Sequence, residues 1–543
     1  MSPLVSRRRP VASAAAVAAT GALVLTGCSV ADPDAAGGSP AGGDGGDTEL
    51  VIGVGGEPDS LNPVLGYAPD GASRIFDSLV VRDAGLALQP SLALDVPEPS
   101  PDGRTYVVDV RDDVRFHDGE PLDAGDVAFT YSAILDESVA SGLAGDFAML
   151  DEVVAVDEDT VEFRLAEPYV PFPQRLTVGI VPEHLLADET DWTAAEFNRA
   201  PVGSGPFRFV SWTPGDSMVL EANQDHWDGA PAVSRLTFAL TDDDQARAAR
   251  MAAGELDGAV LPPRLAEQFA DAEGPAVQAR PSADYRGVML PQRHPVTGDV
   301  DVRRALDLAV DREAMVDGVL VGAGSPAYGP ISPYQEEFYD ASVERDHDPQ
   351  AAAALLDGAG WVAGDDGVRA KDRQRAEFTV MYPAGDTVRE QLALAFADDA
   401  RGIGIDVAVD GLSWEAIEPR MSTDALVMGW GTPYDPDFVT YQLFHSSYSE
   451  AGFFNPGAYE NPAVDAALDA GRTETDPRAR RDAYLRLQEE MAADPPWIFL
   501  VYLDHVYVVP EGWQGSDVVQ VEPHDHGFTA GPWWNVEDWV PAS

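Results

Sequence analysis

The chain of 543 residues holds one cysteine, Cys28, and one lysine, Lys371. A single thiol excludes a disulfide framework and a Cys-x-x-Cys metal or redox site, so the fold must be held by its core. Arginine is nearly the whole basic complement, and 35 basic side chains face 93 acidic ones. The formal net charge is −58; losing Arg7, Arg8 and Arg9 with an acid-free leader takes it to −61. Such a charge excludes nucleic acid and anionic membrane surfaces as expected partners and describes a solvated acidic surface. Motifs of hydrolytic and nucleotide chemistry are lacking too: there is no His-Glu-x-x-His, no Gly-x-Ser-x-Gly and no P-loop. Gly203-Ser204-Gly205-Pro206 lacks the nucleophile spacing and reads as a tight crossing.

No apolar run reaches the about 20 residues that span a bilayer. Arg7 to Arg9 precede an Ala/Val/Leu stretch, Val11 to Leu25, that reads as a secretion signal over residues 1–27. Leu25-Thr26-Gly27-Cys28 resembles a lipobox, with cleavage before Cys28 and a diacylglycerol on its thiol, which places the chain outside the cytoplasm on a membrane anchor. Residues 28–48 are small and polar and form a flexible tether. As a Gly-rich coil of this length, it has a reach of roughly 25 Å.

The remaining chain alternates strand and helix signals, which predicts an α/β fold. Strands are expected at 49–56, 105–111, 161–165, 217–222, 378–382, 405–411 and 425–430. Helices are expected behind Asp348-Pro349, Asn461-Pro462 and Asp476-Pro477, and over 300–315 behind Asp299 and Asp301. In Phe116-His117-Asp118-Gly119 the pair His117 and Asp118 has no third partner at ligand spacing. Asp118-Gly119 therefore reads as a turn, with Asp123 and Asp126 starting the next helix. His524-Asp525-His526 likewise reads as a polar loop in preference to a surface metal site.

Several segments, in order, resemble the family 5 extracellular solute-binding proteins, the peptide and nickel receptors of ABC importers. They include GGEPDSLNP (55–63), FHDGEPLDAGDV (116–127), PVGSGPFRFVSW (201–212), ANQDHWDGAP (222–231), GELDGAV (254–260), LLDGAGW (355–361), GWGTPYDPDF (429–438) and YENPAVD (459–465). The resemblance implies a two-lobed periplasmic-binding-protein-like fold with an extra subdomain inserted in the first lobe. Residues 49–80, 200–285 and 490–543 would form lobe 1, 81–199 the inserted subdomain and 286–489 lobe 2. Solute would lie between lobes that close by hinge motion.

In peptide-binding relatives two tryptophans contact ligand, and these match Trp414 and Trp430. Such relatives place an aspartate about three residues after the second tryptophan, against the peptide ammonium; here that position is Pro433. Trp430-Gly431-Thr432-Pro433-Tyr434-Asp435-Pro436-Asp437 looks more like the nickel-receptor branch, in which the aligned tryptophan and tyrosine line the pocket. Asp435 or Asp437 would then supply the amine partner from a shifted loop, or Asp435-Pro436 would be a turn. That branch clamps a carboxylate chelator with arginines; residues 134–147 have none, and Arg175 is the nearest candidate. His445 follows Tyr434 at a distance similar to that of the branch's histidine. The implied function is a monomeric, lipid-anchored receptor that captures a peptide or peptide-like solute for a permease, with a metal-chelate receptor as alternative. It would have no catalytic residues, no cofactor and no protein-coordinated metal. A secreted hydrolase and a non-transport interaction protein are the alternatives of other classes.

Overall fold

A computed structural model describes residues 48–542, without 72, 273, 450 and 525–530. Cys28, the leader, the tether up to residue 47, and Asp525 and His526 lie outside the described residues. Ten strands follow one another across a single sheet: β1 (Glu49–Val54), β2 (Phe207–Thr213), β3 (Ser217–Ala222), β4 (Arg235–Leu240), β5 (Gly258–Val260), β6 (Pro275–Met289), β7 (Glu377–Pro383), β8 (Asp406–Leu412), β9 (Ala425–Trp430) and β10 (Trp497–Pro510). Their spatial order is β8-β7-β9-β6-β10-β5-β1-β4-β3-β2, and the short strand Gly324–Pro326 pairs with β10 off this path. Every strand expected from the sequence is present, to within a residue or two at its ends.

The hydrophobic core does not follow the sheet. β1, β3 and β4 pack into one core, whose members run from Leu50 to Leu240 and include Tyr507, Val509 and Trp533. A satellite core contains Ala259, Val506 and Val508. Two further cores take Val288, Ile498 and Leu500 on one side of the sheet and Tyr285, Phe499 and Tyr502 on the other. β10 therefore changes core between Leu503 and Val506. β6 changes near the register break between Pro281 and Tyr285. A continuous backbone ladder passing from the first core and its satellite to the two further cores gives a two-lobed α/β molecule whose lobes are joined by β6 and β10.

Residues between β1 and β2 add a three-stranded antiparallel sheet, Thr105–Asp109, Leu150–Ala155 and Thr160–Leu165, and α1 (Ala124–Leu135). Their apolar side chains merge with the first core. The other long helices are α2 (Asp244–Ala252), α3 (Val300–Ala309), α4 (Pro349–Gly358), α5 (Thr387–Gly402), α6 (Pro462–Thr473) and α7 (Pro477–Ala493). Each is opened by an Asp or Asn whose side chain accepts from the first turn, and Asp123 with Asp126 completes a capping box on α1. The acidic composition thus serves helix starts, where free amides and the positive dipole end need acceptors.

The sequence motifs that imitated chemistry are structural. Asp118-Gly119 is a turn, with Gly119 at φ +96°. His117 sits 3.0 Å from the Gly205 carbonyl and accepts from the Gly203 amide at 3.3 Å. Burial lowers its pKa to about 4, so this staple is neutral. Gly203 and Gly205 cross residues 74–76 so closely that a Cβ at Gly203 would lie 1.9 Å from the Ile75 carbonyl oxygen.

Candidate functional site

A cavity of about 1020 Å³ opens between the lobes. Its walls are the loop after β1, residues 65–91, the end of β9 and the segments 142–147, 174–178, 226–228 and 534–538. A second cavity, of about 890 Å³, shares Gly56 and Glu57 with the first and continues over β6 and β10. The two are lengths of one interlobe groove.

Trp430 ends β9 and faces the larger cavity. It stacks on Phe454 at 6.0 Å and lies 6.0 Å from the His524 ring, and its Nε1 is buried without a hydrogen-bond partner. The chain turns away at Gly431, with φ +134°, where a Cβ would fall 2.0 Å from the Ala283 carbonyl oxygen. Only glycine permits this exit, and it fixes where the tryptophan ring ends up. Tyr434 lines the same cavity under the Arg82 guanidinium, 3.7 Å from its ring centroid. Trp414 opens a helical turn at the smaller cavity, half exposed, edge-on to Phe453.

Asp435, Asp437 and His445 line neither cavity. The reading of the sequence set them toward solute; the structure gives their polar atoms to protein partners. Both Asp435 oxygens accept from Arg480, at 2.7 and 2.9 Å. The Asp437 carboxylate, wholly buried, accepts the Arg472 fork at 2.9 and 3.0 Å and the Tyr169 hydroxyl at 2.7 Å. His445 lies flat on Tyr441 at 4.6 Å, and its Nδ1 meets Ser447 at 2.7 Å, capping the following turn.

Arg175 does reach the cavity wall, already engaged. It pairs with Asp146 at 3.3 Å and with Asp437 at 4.0 Å, and stands over the Phe438 ring at 3.5 Å. Burial would lower its pKa, but Asp146, Tyr169 and Asp437 outweigh burial and raise it. The inserted segment and the second lobe are joined here through Tyr169–Asp437, Gln442–Asp146 at 3.0 Å and Arg82–Tyr434. Tyr169, Arg472 and Arg480 were not identified from sequence, because their partners lie 35 to 268 residues away and no local pattern marks them.

On the groove floor a buried polar cluster ties β6 to β10. Asp284 accepts from Arg286, lies 3.0 Å from His505 and meets His524 at 2.8 Å, and Glu522 meets His505 at 2.8 Å. Burial would raise the Asp284 carboxyl, but Arg286, His524 and His505 outweigh it and hold it well below the usual range. Among the described residues no group of three or more His, Cys, Asp or Glu is placed to hold a metal ion, and no helix is long and apolar enough to cross a membrane.

Residues 87–451 match the model for bacterial extracellular solute-binding proteins, family 5, middle. The chain is 47% identical to Protein XP55 of Streptomyces lividans over 94% of this chain and 92% of that protein. It is 30% identical to the oligopeptide-binding protein AppA of Bacillus subtilis over 90% of this chain and 91% of AppA. The crystal structure of NikZ from Campylobacter jejuni in complex with Ni(L-His) superposes with a TM-score of 0.84 at 30% identity, covering 91% of this chain and 100% of NikZ.

Proposed function

The chain belongs to the family 5 bacterial extracellular solute-binding proteins, and from that membership we propose that it captures a peptide or peptide-like solute between its lobes and delivers it to the permease of an ABC importer. The observation that carries the reading is the interlobe groove. Its larger cavity, about 1020 Å³, is walled by Trp430, Tyr434 and Phe454 and sits at the upper end of the range for small-ligand sites. A solute touching both lobes binds the closed form better than the open one, and that difference lets a transporter sense occupancy. In this reading lobe 1 comprises 49–80, 200–285 and 490–543, the inserted subdomain 81–199 and lobe 2 286–489, hinged on β6 and β10. AppA of Bacillus subtilis, solved in complex with a nonapeptide, superposes at a TM-score of 0.79 and 28% identity.

A chelate solute is the second reading, favoured by the likeness to NikZ and by the aromatic pair Trp430 and Tyr434 in the wall. The test is mass spectrometry of solute that co-purifies with the protein, with metal analysis of the same sample, followed by binding measurements on Trp430→Ala. Peptide recovered uncleaved, and an affinity loss of about tenfold or more on removing the buried aromatic wall, is the expected result. Full affinity in the variant would displace the site, and cleaved peptide would replace the receptor with a hydrolase.

Cys28 is read as the lipid-bearing residue of a mature chain held at the outer face of the membrane, with the tether keeping the groove within reach of the permease. Cys28→Ser is expected to keep solute binding while moving the protein from the membrane fraction to the soluble one. Unchanged membrane retention in that variant would remove the anchor from this account.

A further inference from the structure

We propose that Val439 is the centre of a strained turn that opposes closure of the groove, cocked by contacts from the inserted segment and relaxing when those contacts part. The proposal rests on the receptor reading above, in which the lobes open and close, and adds the device that limits how strongly closure is favoured.

Val439 has φ +63° and ψ −44°. Those angles miss the left-handed helical region, where ψ is positive, and a β-branched side chain at positive φ is an outlier. Across Val439 the Thr440 amide donates to the Phe438 carbonyl at 2.6 Å, which makes residues 438–440 a three-residue turn of the rare and strained hand. Such a conformation persists only where the surroundings over-determine it.

The surroundings come from both sides of the groove. On its own side the turn is anchored: Arg472 of α6 holds Asp437, and the Val439 carbonyl accepts from the Leu443 amide at 2.9 Å in the short helix Thr440–Phe444. Leu443 and Phe444 of that helix lie in the second lobe's core. From the opposite side the Tyr169 hydroxyl donates to Asp437 at 2.7 Å, the Arg175 guanidinium covers Phe438 at 3.5 Å, and Asp146 accepts from Gln442 at 3.0 Å. Tyr169 and Phe147 belong to the first core, so the inserted segment travels with lobe 1 and these three contacts exist only while the groove is shut. Residues before and after Val439 are thus gripped from across the groove in the closed form, and the turn between them takes up the strain. Val439 itself lines the larger cavity, so the turn borders the space offered to solute. Strain confined to the closed form lowers its population without solute and speeds its reopening.

Hydrogen exchange of the solute-free protein tests this. The Val170 amide donates to the Arg472 carbonyl at 3.2 Å across the groove, so its exchange reports opening. Val439→Gly admits the positive φ without a steric penalty. Relief of strain of the usual size is expected to slow exchange of the Val170 amide about fivefold or more. Val439→Ala, which loses only the branch, is expected to slow it less. Tyr169→Phe, without the hydroxyl that reaches Asp437, is expected to speed it. Small-angle scattering of the same samples should give the largest radius of gyration for Tyr169→Phe and the smallest for Val439→Gly. Val170 exchange in Val439→Gly that equals or exceeds the wild-type rate would overturn the inference. That result would leave the receptor reading standing, because the receptor reading is decided by the solute that co-purifies and not by exchange.

Discussion

Asp437→Ala is expected to destabilise the protein by about 3–5 kcal/mol, the range for removing one partner of a buried ion pair. The carboxylate is wholly buried, and it holds the Arg472 fork, the Tyr169 hydroxyl and, at longer range, Arg175. Truncation leaves a guanidinium with a side chain only 9% exposed facing a void, and that stranded charge, more than the lost hydrogen bonds, sets the size of the effect. Asp437→Asn keeps the shape and should fall between wild type and alanine. Because Tyr169 and Arg175 belong to the inserted segment and Arg472 to α6, the same change loosens the contact between the two sides of the groove. The check is the denaturant midpoint of each variant beside its solute affinity. A variant with the native midpoint and no solute binding would show that Asp437 faces solute, one of the alternatives the family resemblance offered, and not the protein interior.

That contrast shows where sequence reasoning stops. Helix starts were legible because a cap is local: Asp348, Asn461 and Asp476 accept amides two or three residues away. Strands with regular patterning, such as Ser217–Ala222 and Ala425–Trp430, were legible for the same reason. The two strands that join the lobes were not. β6 reads PAVQARPSADYRGVM, with two prolines and several charges where a buried strand should be apolar. It stays in the sheet because Pro281 sits at a register break and offers its carbonyl to the Glu522 amide at 2.9 Å, and because Asp284 and Arg286 neutralise each other inside. β10 is a long apolar run interrupted by Asp504 and His505, where it passes from one core to the other. All four residues Trp430, Tyr434, Asp435 and Asp437 were named through the family resemblance; the first two line the cavity, whereas the aspartates are taken up by Arg480 of α7, Arg472 of α6 and Tyr169, which the fold delivers from far along the chain.

His505→Gln is expected to abolish most of the alkaline loss of stability of the wild-type protein. Both imidazole nitrogens face carboxylates, Nε2 to Asp284 at 3.0 Å and Nδ1 to Glu522 at 2.8 Å. Carboxylates only accept, so both nitrogens must carry protons and the ring is an imidazolium. Burial would lower its pKa, but the hydrogen bonds to Asp284 and Glu522 outweigh burial and push it up to about 10, from an ordinary value of 6.5. A raised pKa stabilises the fold fully below 6.5, and that contribution is lost as pH rises from 6.5 toward 10. One proton sets the slope at up to about 1.4 kcal/mol per pH unit. Asp284 has the opposite sign: its depressed pKa stabilises above the usual 3.8 and is lost below it. The cluster is therefore complete between these limits, with Asp284 and Glu522 balanced by Arg286 and the imidazolium. Denaturant midpoints across pH 6.5 to 10 should fall for wild type and stay nearly level, from a lower start, for His505→Gln. Parallel curves would refute the charged cluster. Since the cluster binds β6 to β10 where both strands change core, its discharge at alkaline pH loosens the connection between the lobes.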